Sequence, residues 1–383
     1  MQALADWVDH RLNKLKRDAR WRQLVPLAVA PSGVIDLTHN DYLGFRHDPH
    51  LQKQAWSAAT VWPIGAGASR LLGGEHKIYQ ELEESFAHWK GAPSALYFTS
   101  GYAANEGLIA ALALTGGTFF TDRLIHASLI DGLKLARLAD HRRVIFEHND
   151  AEDLTRKLAA SAAKFKFIIT ESLFSMDGDL APLAQLKACA DAHQAILVVD
   201  EAHAVGVYGK KGEGLTSEYG LDHQDFISVN PCGKALAAAG ALVCGPLWLR
   251  DFLINHARSF IFATGASPWV AAALCQIIPT AAAASSQRAW LQQITREIRQ
   301  QLAQLGLDLG KGNSHIVPIM FGSDQRALMA SAFLKDRGIE AKAIRPPTVH
   351  PGTARLRLSL HAALTENNLR HIVGTCKELS DGL

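Results

Sequence analysis

Several short stretches of this chain end in residues that can do chemistry, and each follows a run that reads as a β-strand. After "ALYFT" come Ser100, Gly101 and Tyr102; after "TFFTD" comes His126; after "FIITES" come Ser175, Met176 and Asp177. "AILVVDEAH" delivers Asp200 and His203, and "DFISVN" is followed by Lys234 inside "PCGKALAAAG". Ligands of open α/β sheets bind outside the carboxyl ends of the strands. A hydroxyl, imidazoles, a carboxylate and an amine would therefore share one rim. Taken singly, each has an ordinary explanation. Asp200 could cap the turn after its strand, and His126 and His203 could be satisfied packing residues. Ser175 in "FSMDGD" could be turn chemistry, Ser100 and Gly101 a simple strand-to-helix turn, and Lys234 a loop lysine ahead of an Ala-rich helix. What these readings leave unexplained is the joint placement, one group after each of successive strands.

Three kinds of chemistry compete for such a set. A metal centre fails because the group includes a lysine and lacks a tight His/Cys/Asp cluster. A dinucleotide site would lean on "GAGASR" at 65–70, but Arg70 stands where the third glycine belongs and no apolar strand precedes it. Pyridoxal phosphate uses every member. The lysine amine joins the cofactor aldehyde, and a carboxylate keeps the pyridine nitrogen protonated so that the ring can accept electrons. An imidazole plane stacks on the ring, and N–H groups at a helix start hold the phosphate. Asp200 at the end of a central strand, with Lys234 further along, satisfies that order.

The elements that must position these residues follow from hydrophobic patterning. "SALYFTS" (94–100), "GTFFTD" (117–122), "RRVIFEHN", "FKFIITES", "AILVVDEA" (195–202), "DFISVN" (225–230) and "GALVCG" (240–245) read as strands. Several are apolar on consecutive residues, as strands covered on both faces are. Helical patterns at 101–115, 151–163 and 182–193 alternate with them, which predicts a mostly parallel sheet between helices. Beyond about residue 285 the texture changes to a long amphipathic helix ending at Gly306 or Gly310. "HIVPIMF", a helix at 325–337, "IEAKAI" and "ARLRLSL" follow, predicting a smaller α+β domain. The expected division is an N-terminal arm over 1–45, a large domain over 46–283 and a small C-terminal domain over 284–383.

Composition narrows the partners. With 383 residues the chain can carry two domains. Its 39 basic and 37 acidic residues leave a net charge of +2, and no basic stripe marks a nucleic-acid face. "RLNKLKRDARWR" (11–22) reads first as an amphipathic helix. The five cysteines form no C-x-x-C pair, which suits free thiols in a reducing compartment. The uncharged window 259–287 is long enough to span a bilayer, but it contains Pro268 and Pro279, several Ser, Thr and Gln residues and many weakly apolar alanines. A buried helix is expected instead. With no basic start followed by an apolar stretch at the N-terminus, a soluble cytoplasmic protein is expected.

In order along the chain stand "NDYLG" (40–44), "GAGASRLLGG" (65–74), "SGYAAN" (100–105), "HASLIDG" (126–132), "FSMDGD" (174–179), "DEAHAVGV" (200–207) and "GKALAAAG" (233–240). By these seven stretches the sequence resembles the α-oxoamine synthases, over essentially its whole length. The resemblance implies a PLP-dependent transferase of fold type I, with a large mostly parallel-sheet domain and a small α+β C-terminal domain. It also implies a homodimer with sites at the subunit interface. Lys234 would carry pyridoxal 5'-phosphate and move the substrate Cα proton, Asp200 would face the pyridine nitrogen, and His203 the ring hydroxyl. His126 would stack on the ring, Gly101 and Tyr102 would give N–H groups to the phosphate, and Ser175 would line the site. Thr264 would reach the phosphate of a neighbouring subunit. Arg357 would grip the amino-acid carboxylate, with Arg22, Asn40 and Thr348 also at the substrate.

Within the family, "AIRPPTVHPGTARLRLS" (343–359) looks most like the biotin-pathway branch, which joins L-alanine to a pimeloyl thioester carried on coenzyme A or on a carrier protein. Glycine with acetyl or succinyl donors is the alternative, and a cofactor-binding protein that has lost catalysis is a third. One position departs from the family pattern. Where it usually has a phosphate-binding Thr or Ser, three residues before the lysine, this chain has Pro231, which offers neither hydroxyl nor N–H.

Overall fold

The computed structural model describes residues 1–24, 26 and 33–382, so part of the arm expected over 1–45 lies outside the described residues. The chain divides into two compact units. The larger holds residues 40–175 and 179–290; the smaller holds 1–39, 176–178 and 291–383.

In the larger unit seven strands form one sheet: β1 (Ser94–Phe98), β2 (Thr118–Asp122), β3 (Arg143–Phe146), β4 (Lys166–Glu171), β5 (Ile196–Asp200), β6 (Phe226–Pro231) and β7 (Ala241–Gly245), in the order β1-β7-β6-β5-β4-β2-β3. Pairing is parallel from β6 to β3, whereas β7 runs antiparallel to both β6 and β1. β1 therefore points the same way as the parallel strands, and all their carboxyl ends open on one edge. β5, "ILVVD", is buried along nearly its whole length, as a central strand covered on both faces must be. Helices Gly101–Ala113, Ala127–Leu135 and Leu247–His256 contribute Leu108, Leu112, Leu129, Leu133, Leu249 and Leu253 to a core shared with Phe98, Phe119, Ile169 and Val198 of the sheet. After Asp200 the chain is held by a fully buried ion pair, Lys90 Nζ to Glu201 Oε2 at 2.6 Å. Glu201 also accepts from the N–H of Thr216.

The window 259–287 resolves into short helix Arg258–Ile261 and helix Pro268–Ala283. Among the described residues no single helix is long and apolar enough to cross a membrane.

The smaller unit contains an antiparallel sheet of β8 (Ile316–Gly322), β9 (Lys342–Ile344) and β10 (Ala354–Ser359), with β10 in the middle. Helices Asp324–Lys335 and Glu366–Asp381 accompany it. The expected strand "IEAKAI" is split, its first two residues pairing instead with Ile35–Asp36. Helix Ser285–Gln304 ends just before Gly306, whose φ of +77° favours glycine. An N-terminal helix forms over Gln2–Arg17, ending before the expected residues 18–22, with no residue buried.

Candidate active site

Each chemistry-bearing side chain of the larger unit sits at or just past the carboxyl end of a strand, and the local sequence explains how. Ser100 caps the helix that follows β1: its Oγ accepts the N–H of Ala103 at 3.1 Å and its carbonyl that of Ala104 at 3.0 Å. The first N–H groups of a helix have no partner inside it. Those of Gly101 and Tyr102 therefore form an anion-binding end. Gly101 is required there, because a Cβ would lie 2.7 Å from Cγ of Pro231. His126 caps the helix after β2, accepting the N–H of Ser128 on Nδ1 at 3.2 Å. The Tyr102 ring meets the His126 ring edge-on at 6.4 Å, which joins the helix start to the imidazole.

Asp200 closes β5 and is almost fully buried. Its Oδ1 accepts from the N–H of Ala202 at 2.9 Å and its Oδ2 from Asn105 Nδ2 at 2.7 Å. On the adjacent strand, in register with Asp200, stands buried Glu171. Burial and the Asp200 charge push its carboxyl well above the usual carboxylate range. Burial pushes His126 down; Asp200 pulls it up and Lys234 pushes it further down. The charges of Asp200 and Lys234 thus act together on both His126 and Glu171, which places all four groups in one electrostatic neighbourhood.

Lys234 is half-buried in a tight loop between β6 and β7. "GKALAAAG" forms no Ala-rich helix. Cys232 N–H donates to Gly240 C=O at 2.9 Å, Ala238 N–H to Cys232 C=O at 3.0 Å and Ala237 N–H to Lys234 C=O at 2.9 Å. Ala237 takes φ +48° to close the turn. The neighbours must be small, since Cβ of Ala235 is 2.8 Å from where a Cβ on Gly206 would stand. His203 is buried, its Nδ1 2.5 Å from the hydroxyl of Tyr42, which in turn donates to Asn40 Oδ1 at 3.0 Å. Asn40 is therefore tied to His203. Ser175 lies half-buried in the loop that follows β4. Thr264 is exposed on the loop between the helices Arg258–Ile261 and Pro268–Ala283.

The remaining predicted residues belong to the smaller unit. Arg22 Nη2 donates to Thr348 Oγ1 at 3.5 Å, so these two meet. Arg357 is buried on β10, with Nη1 donating to Ser359 Oγ at 2.5 Å.

Residue types alone did not single out Asn105, Ser128, Tyr42 and Glu171. Asn105 lies one helical turn after Gly101, and that spacing puts both on one helix face. Ser128 follows His126 by two, Tyr42 follows Asn40 by two, and Glu171 is the last residue of β4. Patterning marked all of these segments, but not the partners that their side chains find.

The residues present fit pyridoxal phosphate. The helix start is left open by a glycine, a buried carboxylate closes a central strand, and Asn105 Oδ1 is a buried acceptor without a partner that a bound N–H donor would satisfy.

The model of the family described as aminotransferase class I and II matches residues 32–375. Similar curated proteins include the 8-amino-7-oxononanoate synthases of Azoarcus sp. (39% identical, covering 99% of this chain and 98% of that one) and Anaeromyxobacter dehalogenans (40%, covering 94% and 91%). Among solved structures, a serine palmitoyltransferase from S. paucimobilis with a bound PLP–myriocin aldimine superposes with a TM-score of 0.92 at 27% identity, covering 100% of this chain and 98% of that one. The 8-amino-7-oxononanoate synthase of Francisella tularensis gives 0.78 at 27%, covering 91% and 98%. With matches this long joined to a pyridoxal-phosphate site on a fold type I sheet, the chain belongs to the class I and II aminotransferase family, and within it to the PLP-dependent α-oxoamine synthases.

Proposed function

We propose that this protein condenses L-alanine with a pimeloyl thioester to give 8-amino-7-oxononanoate, carbon dioxide and the free thiol, a step of biotin biosynthesis. The choice of substrates rests on relatives of that activity that match over nearly their full lengths. The chemistry rests on one observation, the placement of His126, Asp200 and Lys234 at or past the carboxyl ends of parallel strands of one sheet.

Bound pyridoxal phosphate supplies an electron sink for the carbanion at the substrate Cα. The protein does the rest. Asp200, fixed by Ala202 and Asn105, holds the proton on the ring nitrogen. Lys234 anchors the cofactor and, once freed, takes the Cα proton as general base. His126 would stack on the ring and His203 would serve its hydroxyl. The N–H groups of Gly101 and Tyr102 would hold the phosphate, and Ser175 would line the cofactor site. Arg357 grips the alanine carboxylate, and Arg22, Asn40 and Thr348 contact substrate.

The working unit in this reading is a homodimer, with Thr264 reaching the phosphate bound in the neighbouring subunit. Exposed Ile64, Leu72 and Phe262 support it: they lie on loops tied together by Gly265 N–H to Ala68 C=O at 2.9 Å and Ser267 Oγ to Ile64 C=O at 2.5 Å. The five free thiols suit a cytoplasmic enzyme.

The deciding experiment offers alanine or glycine with pimeloyl-CoA, pimeloyl-carrier protein, acetyl-CoA or succinyl-CoA and measures carbon dioxide release. Alanine with a pimeloyl donor is expected to turn over fastest. Preference for glycine with acetyl-CoA would overturn the substrate assignment, and binding of cofactor without product from any pair would mark a degenerate site.

A further inference from the structure

We infer that Asn105 and Ser128 form a one-way hydrogen-bond relay from Asp200 to His126 that fixes His126 as the Nε2–H tautomer. Both are buried positioning residues. Asn105 Nδ2 lies 2.7 Å from Asp200 Oδ2 and 3.0 Å from Ser128 Oγ; Ser128 Oγ lies 2.7 Å from His126 Nδ1.

Donor counting gives the relay its direction. A carboxylate oxygen accepts, so the amide nitrogen of Asn105 must face Asp200. Its second N–H then serves Ser128 Oγ, which becomes an acceptor on that side. The serine's own hydrogen is left for His126 Nδ1. The backbone N–H of Ser128 also points at Nδ1, at 3.2 Å, and a main-chain donor cannot reverse. Nδ1 therefore carries a lone pair, and the ring proton sits on Nε2. Asp200, which orients the relay at one end, acts through it on the imidazole at the other.

The charged and titratable groups around this imidazole are Asp200 and Asp131, which favour its protonation, and Lys234, which opposes it. Tyr102 meets its ring, and the His126 backbone N–H donates to the Glu171 carboxyl. Donors aimed at Nδ1 add to burial in favouring the neutral ring. Removing one raises the histidine pKa.

The consequence for turnover rests on the reading of His126 as the cofactor-stacking residue; the tautomer does not. The test is nitrogen NMR of holoenzyme labelled at histidine. The expected wild-type signature is an unprotonated Nδ1 and a protonated Nε2 across neutral pH. Ser128→Ala, which keeps the main-chain donor at Nδ1, is expected to leave the tautomer in place, move the His126 titration to higher pH and lower kcat about 10-fold with the KM for alanine nearly unchanged, the scale of one lost hydrogen bond. Ser128→Thr, which keeps the hydroxyl, is expected to restore the titration. A protonated Nδ1 in the wild type, or a titration unmoved by Ser128→Ala, overturns the relay. A shifted titration with unchanged kcat keeps the relay and removes His126 from the reaction.

Discussion

Pro231 stands where the resemblance implies a phosphate-binding hydroxyl. The ring packs over the helix start at Gly101, where a hydroxyl would otherwise meet the phosphate. A hydrogen bond to a charged group contributes about 1.5–3 kcal/mol, or one to two orders of magnitude in affinity. Pro231→Thr is therefore expected to tighten cofactor binding by about 10- to 100-fold, read by titrating apoprotein with pyridoxal phosphate. Unchanged affinity would mean that another donor already serves that oxygen. The placement of Asp200, His203, His126 and Lys234 was legible in the sequence, because each lies at or past the end of a patterned strand and the carboxyl end of a strand is a predictable place. Asn105, Ser128 and Tyr42 were not. Their importance lies in the partner that each finds across the fold, Asn105 finding Asp200 ninety-five residues away.

The loop carrying Ser175 is steadied by a neighbouring element whose own sequence, "EHND", gave no sign of it. His148 follows β3 and bridges two carboxylates, Nδ1 to Asp122 Oδ1 at 2.9 Å and Nε2 to Asp179 Oδ2 at 2.7 Å, with its ring edge-on to Phe174 at 4.4 Å. Burial alone would lower its pKa, but hydrogen bonds to Asp122 and Asp179 outweigh that and push it up to about 10. A folded-state pKa raised in this way contributes stability fully below about pH 6.5, the unfolded value. The contribution is lost as pH rises through about 10. His148→Gln is expected to cost about 1.5–3 kcal/mol near neutral pH. In urea unfolding, the gap from wild type should close as pH rises past that value. A gap independent of pH would show that packing against Phe174, rather than charge, is what counts. The strands were readable as apolar runs, whereas this clamp depends on β2 and β3 lying side by side in the sheet.

For the molecule as a whole, strand–helix alternation was enough to predict the sheet class and the separate α+β portion. Which residues group with which unit was not. Residues 1–39 and 176–178 cluster with 291–383, an assignment made by contacts far apart in sequence, such as Asp177 with Arg355. The proposed homodimer makes its prediction at this scale. Ile64→Asp or Phe262→Asp places a charge in a face that dimerisation would bury, and is expected to yield monomers in sedimentation with a loss of turnover greater than 10-fold. Dimers that persist in both variants would move the interface elsewhere.

The close approach of Gly101 and Pro231 also constrains how this protein can change. With the proline ring present, any side chain at 101 collides with it at 2.7 Å. Alanine there is relieved of its tightest contact once position 231 has lost its ring. The two substitutions are thus ordered in cost: a lineage that changes 231 first meets no ring, and one that changes 101 first must displace it, an overpacking that costs about 1–3 kcal/mol.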